Sequence, residues 1–262
     1  MDTPSLFSVK DKVILITGGG KGIGRMISEG FVRNGAKVYI SSRDAKACDA
    51  AAAELSSIGP GKAISLPANL QSEQEITRLV SELSSRESKI HVLINNSGAT
   101  WGESYESYPD SAWSKLLTLN LQRVFTLTQK LTPLLEAATA PQDPARVINI
   151  GSIDALRVPL LPTFAYSASK AGLHHLSRHL AMHLGPRGIT SNTLACGPFP
   201  SKMMAHTLET LGDEIKAANP LGRVGLPGDV AGACIFLASK AGSYVNGATL
   251  PLDGGVHLMS KI

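Results

Sequence analysis

Thr17-Gly18-Gly19-Gly20-Lys21-Gly22-Ile23-Gly24 is the stretch on which the fold turns. Residues 13–17 lead into it as a short apolar run, the mark of a buried strand. Beyond it Ile23, Ile27 and Phe31 recur at four-residue spacing, one face of a helix that Asn34-Gly35 closes. Gly18 permits the tight turn, Gly22 lets backbone approach a pyrophosphate, and Gly24 allows helix and strand to pack closely. The helix start offers N–H donors and a positive dipole end to phosphates. Glycines alone say little. In a strand–turn–helix context they predict a dinucleotide site.

Working outward, strands and helices keep alternating. Residues 37–41 read as a strand, and Asp44 as the N-cap of an Ala-rich helix through residue 56. Residues 63–66 read as a third strand. Ser72 with Glu75 predicts a capping box for a helix to about residue 86. Residues 91–95, 146–151, 189–194 and 248–252 read as further strands. Helices are expected over 110–135, 163–184 and 227–238. Residues 196–226 are rich in Pro, Gly and Met with weak periodicity, and read as a mobile segment. This alternation predicts one α/β domain over residues 1–262, a Rossmann-like doubly wound parallel sheet with helices on both faces. Ligands of such sheets bind at the carboxyl ends of the strands.

The chain has 262 residues, enough to bury a core without disulfides or a structural metal. Its net charge of +4 and lack of any long Lys/Arg run argue against a nucleic-acid partner. No apolar run approaches a membrane span, and residues 1–12 lack the apolar core of a secretory signal. Cys48, Cys196 and Cys234 are scattered and odd in number, so neither a zinc site nor a disulfide framework is expected. A cytoplasmic location follows. Ser260-Lys261-Ile262 is one conservative change from a peroxisomal address, which keeps that alternative open.

The second strand selects the cofactor. An NAD site wants a carboxylate on the ribose about 20 residues beyond the loop. Here the strand ends Ser41-Ser42-Arg43. Arg43 can fork onto a 2′-phosphate, and Lys21 adds a second cation, so NADP(H) is expected. Asp44 is better used as a helix cap.

Tyr166 and Lys170 stand at i and i+4, on one helix face. An unperturbed phenol titrates near about pH 10. A neighbouring ammonium would lower that value and let Tyr166 move a proton near neutrality. Ser152, just past the fifth strand, could hold a substrate oxygen.

Taken together these pieces resemble the short-chain dehydrogenase/reductase family from residue 9 to residue 257. The match rests on residues 17–24, Asn95-Asn96-Ser97-Gly98, Asn120, Ser152, Tyr166 and Lys170, in the family's order and spacing. The resemblance implies that Tyr166 is the general acid/base, that Lys170 tunes it and binds the nicotinamide ribose, and that Ser152 orients the carbonyl. It implies that Asn120 holds a water of the proton relay. The cofactor would be lined by Gly18, Lys21, Gly22, Ile23, Gly24, Arg43, Asn69, Leu70, Asn96, Gly98, Phe199 and Ser201, besides Tyr166 and Lys170. The segments SRDAKAC, WGESYESYP, PARVINIGS and GPFPSKM look most like the NADPH-preferring 3-oxoacyl reductase branch tied to rhamnolipid synthesis. Asn69 replaces the family's usual Asp, Ser97 its Ala, and Cys196-Gly197 its Pro-Gly. The reading is a carbonyl reductase acting on a small-molecule ketone such as a 3-oxoacyl thioester. An alcohol dehydrogenase working oxidatively, or a non-catalytic dinucleotide module, are the alternatives. A homotetramer, or a homodimer, through the 110–135 and 163–184 helices is implied. His174, His175, His179 and His183 crowd one helix at metal-like spacing without a third partner, so no metal is expected.

Overall fold

The computed structural model describes residues 2–259. Seven strands form one parallel sheet in the order β3-β2-β1-β4-β5-β6-β7. They are β1 (Val13–Thr17), β2 (Lys37–Ser41), β3 (Lys62–Ser65), β4 (Val92–Asn95), β5 (Ala145–Ile150), β6 (Ile189–Cys196) and β7 (Thr249–Leu252). The order reverses between β1 and β4, which leaves a crevice at their carboxyl ends. A short α1 (Thr3–Leu6), unforeseen from sequence, precedes the sheet.

Side-chain alternation sorts the core onto two faces. Ile14, Ile16, Val38, Ile40, Ile94 and Ile148 pack with Ile27 and Phe31 of α2 (Gly22–Arg33), Leu55 of α3 (Ala45–Ser56) and Val230 of α9 (Pro227–Ala238). Leu15, Tyr39, Leu93 and Val147 face the other way. They meet Leu79 of α4 (Glu73–Arg86), Leu131 of α6 (Arg123–Glu136) and Leu180 of α7 (Phe164–Leu184). Helices therefore cover both faces, as the alternation predicted.

Three local readings are corrected and one is refined. The expected 110–135 helical stretch is present as α5 (Asp110–Leu117) and α6, with a π turn over Thr118–Gln122 between them that carries Asn120. Such turns collect at functional sites because they re-aim one side chain. The capping box is half made. Ser72 accepts the Glu75 N–H, but the Glu75 carboxylate turns to Arg78, a stronger charged partner. β6 runs two residues further, to Cys196. The weakly patterned 196–226 stretch contains α8 (Ala205–Ala217), whose pattern is interrupted where Leu211 leaves helical geometry at φ −128°. The Ser260-Lys261-Ile262 reading lies outside the described residues. No helix among them is long and apolar enough to cross a membrane.

Candidate active site

The glycine loop opens the crevice. Gly18 and Gly22 hold φ of +66° and +52°, a region that L side chains rarely adopt. A Cβ on Gly24 would lie 2.2 Å from the Gly18 carbonyl oxygen and 2.5 Å from Asn96 Nδ2. Asn96 Nδ2 donates to the Thr17 carbonyl at 2.8 Å. The buried Thr17 hydroxyl accepts the N–H groups of Asn96 and Ser97, each at 2.9 Å. These bonds clamp β1 to β4 across the switch point. Ser201, from the stretch after β6, hangs over the loop; a Cβ on Gly22 would meet its own Cβ at 3.1 Å.

The cradle fits a dinucleotide with an extra phosphate. Lys21 and Arg43 are exposed, and neither makes an ion pair among the described residues. Asp44 accepts the Ala47 N–H at 3.0 Å, so it caps α3 as expected. The end of β2 thus offers an uncommitted guanidinium and a carboxylate already engaged. Two other expected contacts change character. The Leu70 side chain is buried in one core layer and the Phe199 ring in the other, pressed on Gly225. Both side chains take part in core packing. Ile23 is half-buried on the core at the first turn of α2. Asn69 is exposed, its Oδ1 accepting the Gln71 N–H at 3.2 Å.

At the ends of β4 and β5 the structure gathers polar side chains instead. Tyr166 and Lys170 lie one turn apart on α7, with Lys170 Nζ 5.8 Å from the Tyr166 ring centroid. Lys170 is buried and donates to the Ile150 carbonyl at 2.7 Å. Ser152 follows β5 in extended conformation, and its Oγ accepts the Asp154 N–H at 3.1 Å. Gly98 is close by; a Cβ there would sit 3.2 Å from Asn120 Oδ1 and 3.7 Å from Lys170 Nζ. Asn120 donates to the Ala99 carbonyl at 2.9 Å and to Ser169 Oγ at 3.0 Å, and accepts the Ala99 N–H at 3.0 Å. Its amide hydrogens are committed to protein. The side chain therefore ties the loop after β4 to α7, and one lone pair is left for any water.

Burial, rather than the Lys170 ammonium, is the largest influence on the Tyr166 phenol in this structure. Burial pushes that phenol up to about 12, the Ser152 hydroxyl pulls it partly back, and Asp154 and Cys196 add to the rise. Burial also pushes Lys170 down to about 8. Near neutrality the site holds a protonated phenol beside a charged amine. That suits giving a proton to an oxygen. Cys196 is buried and pushed up to about 12, so it is a packed thiol.

Sequence reading missed Tyr108 and Phe164. Tyr108 OH accepts the Ala165 N–H at 3.2 Å and donates to the Trp101 carbonyl at 3.3 Å, which pins the start of α7 to the loop carrying Trp101. Tyr105 and Tyr108 stand edge-on to Phe164 at 6.0 and 5.2 Å. A lone tyrosine in a loop gives no periodic signal of this. The histidines also divide. His175, His179 and His183 form an exposed stripe, while His174 is buried behind Ser152. No group of three or more His, Cys, Asp or Glu gathers as a metal set among the described residues.

A family profile described as enoyl-(acyl carrier protein) reductase matches residues 18–257. A "short-chain dehydrogenase/reductase PhomF" of Diaporthe leptostromiformis is 33% identical over 97% of this chain and 95% of its own. The chain belongs to the short-chain dehydrogenase/reductase family. It is an oxidoreductase of that family. It is also 43% identical, over 96% of its length and 98% of the relative's, to the rhamnolipids biosynthesis 3-oxoacyl-[acyl-carrier-protein] reductase of Pseudomonas aeruginosa. The solved Pseudomonas aeruginosa RhlG/NADP active-site complex superposes with a TM-score of 0.93 at 41% identity, covering 97% of this chain and 99% of that one. A gluconate 5-dehydrogenase of Burkholderia cenocepacia in complex with NADP and tartrate superposes at 0.90 with 26% identity, covering 99% and 100%.

Proposed function

We propose that this enzyme reduces the ketone of a 3-oxoacyl thioester, or a related carbonyl, with NADPH, and that Tyr166 is the proton donor. Bound NADPH supplies the hydride. Arg43 and Lys21 hold its 2′-phosphate, and Gly18, Gly22 and the start of α2 take the pyrophosphate. Ser152 donates a hydrogen bond to the substrate oxygen. Tyr166 gives that oxygen its proton, and the Lys170 ammonium steadies the phenolate left behind. Asn120 keeps the β4 loop against α7, so that Gly98 stays beside Lys170. Residues 196–226, with α8, form the substrate lid.

One observation carries the reading most: a half-buried, protonated phenol hydrogen-bonded by the Ser152 hydroxyl, with the buried Lys170 one turn away. Two neighbouring hydroxyls can both hydrogen-bond one substrate oxygen. The profile's wording names an enoyl reduction, whereas the Pseudomonas aeruginosa relative is named for a 3-oxoacyl one. The deciding experiment offers acetoacetyl-coenzyme A and crotonyl-coenzyme A with NADPH or NADH to wild type, Tyr166→Phe and Arg43→Ala. The expected result is reduction of the ketone only. Tyr166→Phe should lose about 100- to 10,000-fold in turnover and still bind NADPH. Arg43→Ala should weaken NADPH about 10- to 100-fold and leave NADH unchanged. Turnover of crotonyl-coenzyme A alone, or equal use of both nucleotides, would overturn the assignment.

A homotetramer, or homodimer, belongs to the same proposal. Trp113, Leu117 and Phe125 on α5 and α6, and Met182 on α7, are exposed apolar side chains on the helices concerned. Light scattering that finds only monomer would end it.

A further inference from the structure

α7 meets the exit of β5 through one face. Tyr166, Lys170 and His174 succeed one another at four-residue steps along it. Lys170 Nζ donates to the Ile150 carbonyl at 2.7 Å, and His174 Nε2 accepts the Ser152 N–H at 3.3 Å. The two bonds grip the chain on either side of Gly151. The β5–β6 register ends at Ile150 and Leu194, and the Gly151 N–H still reaches the Leu194 carbonyl at 2.7 Å. Ser152 is the first residue beyond that ladder. Its N–H is buried, and a buried donor without an acceptor is costly. His174 supplies the acceptor.

The fit is close. His174 is 4% exposed. A Cβ on Gly151 would lie 2.2 Å from His174 Nε2, so only glycine lets the ring reach the strand end. To accept at Nε2 the imidazole must be neutral, with its proton on Nδ1. Burial, followed by the nearby Lys170 and Arg178, pushes the ring down to about 4, which keeps it neutral in the working range.

We propose that His174 is a positioning residue for the reaction: by holding the Ser152 backbone it aims the Ser152 hydroxyl at the oxygen that Tyr166 protonates. This rests on the catalytic reading above. The Ser152 backbone is held by His174, and its Oγ receives the Asp154 N–H. The hydroxyl hydrogen remains as the group's donor, beside the Tyr166 phenol. Losing the His174 bond would let the strand exit shift, and a small misplacement of a reacting group is expensive in rate.

The test compares His174→Leu and His174→Gln with wild type on acetoacetyl-coenzyme A, with kcat counted per NADPH-binding site by fluorescence titration. Counting sites removes any loss that is merely unfolded protein. His174→Leu should lower kcat about 10- to 100-fold with KM and NADPH affinity near wild type. His174→Gln, whose side-chain carbonyl can accept, should recover most of it. A Leu variant with full kcat per site, or a Gln variant as slow as Leu, overturns the proposal. Tyr166→Phe runs in parallel; if it stays active, the catalytic reading fails, and this inference with it. If the Leu variant does not fold, nitrogen NMR of histidine-labelled wild type decides. Nε2 of His174 unprotonated and hydrogen-bonded at pH 7 is expected, and a proton on that nitrogen overturns it.

Discussion

After β1 the chain presents backbone, and after β5 it presents side chains. At the first place Gly18, Gly22 and Gly24 clear a surface, and the nearby charges Lys21 and Arg43 are exposed and make no ion pair among the described residues. At the second, Ser152, Asn120, Lys170 and His174 are buried, each with a hydrogen bond to protein. The difference follows from the two tasks. A pyrophosphate needs close N–H groups and mobile cations, so the protein removes side chains. A proton transfer needs a few atoms held to within a fraction of an ångström, so the protein locks side chains in place. Only the first kind of site tolerates exposure.

That contrast can be broken by substitutions on either side. Gly24→Ala should have the largest effect, because its Cβ would strike the Gly18 carbonyl and Asn96 together. Overpacking against backbone costs about 1–3 kcal/mol, and NADPH binding should be lost with it. Calorimetry and fluorescence titration would check both, and a variant that binds NADPH normally would mean that the cradle is looser than it looks.

The buried side should instead show itself in pH. Lys170 is pushed down to about 8, so its ammonium is present below that value and lost above it. Reduction should therefore fall as pH rises through about 8, read in kcat/KM, which reports the enzyme before substrate binds. Tyr166, pushed up to about 12, stays protonated throughout this range and should contribute no second break. A rate that rises across pH 8 would reverse the assignment of the two groups.

The smallest effect should come at the edge of the cofactor side. Asp44→Ala removes the α3 cap and should cost about 1 kcal/mol in stability, with no change in NADPH or NADH affinity. A change in NADH affinity would return Asp44 to the ribose.

Which residues could be read in advance follows the same division. The glycine loop is contiguous and lies between a strand and a helix, so eight residues named both its place and its ligand class. Tyr166 and Lys170 were readable because helical spacing puts them on one face. His174 was not, although it extends that face by another turn. In the sequence it is one of four histidines on that helix, and nothing there shows that Ser152, 22 positions away, ends a ladder and needs an acceptor. Leu70 and Phe199 are a different case. Their places in the family pattern suggested ligand contacts, while the packing turned both side chains into the core.

The sequence by itself determined the parallel sheet, the order of its elements, the glycine cradle and the tyrosine–lysine pair. Each of these depends on periodicity or on residues close together in the chain. Tertiary structure alone decided that the 110–135 helix widens into a π turn at Asn120, that residues 196–226 contain a helix, and that the Tyr166 phenol is raised. Those outcomes depend on burial and on partners from distant elements, and neither acts until the sheet has closed its layers around them.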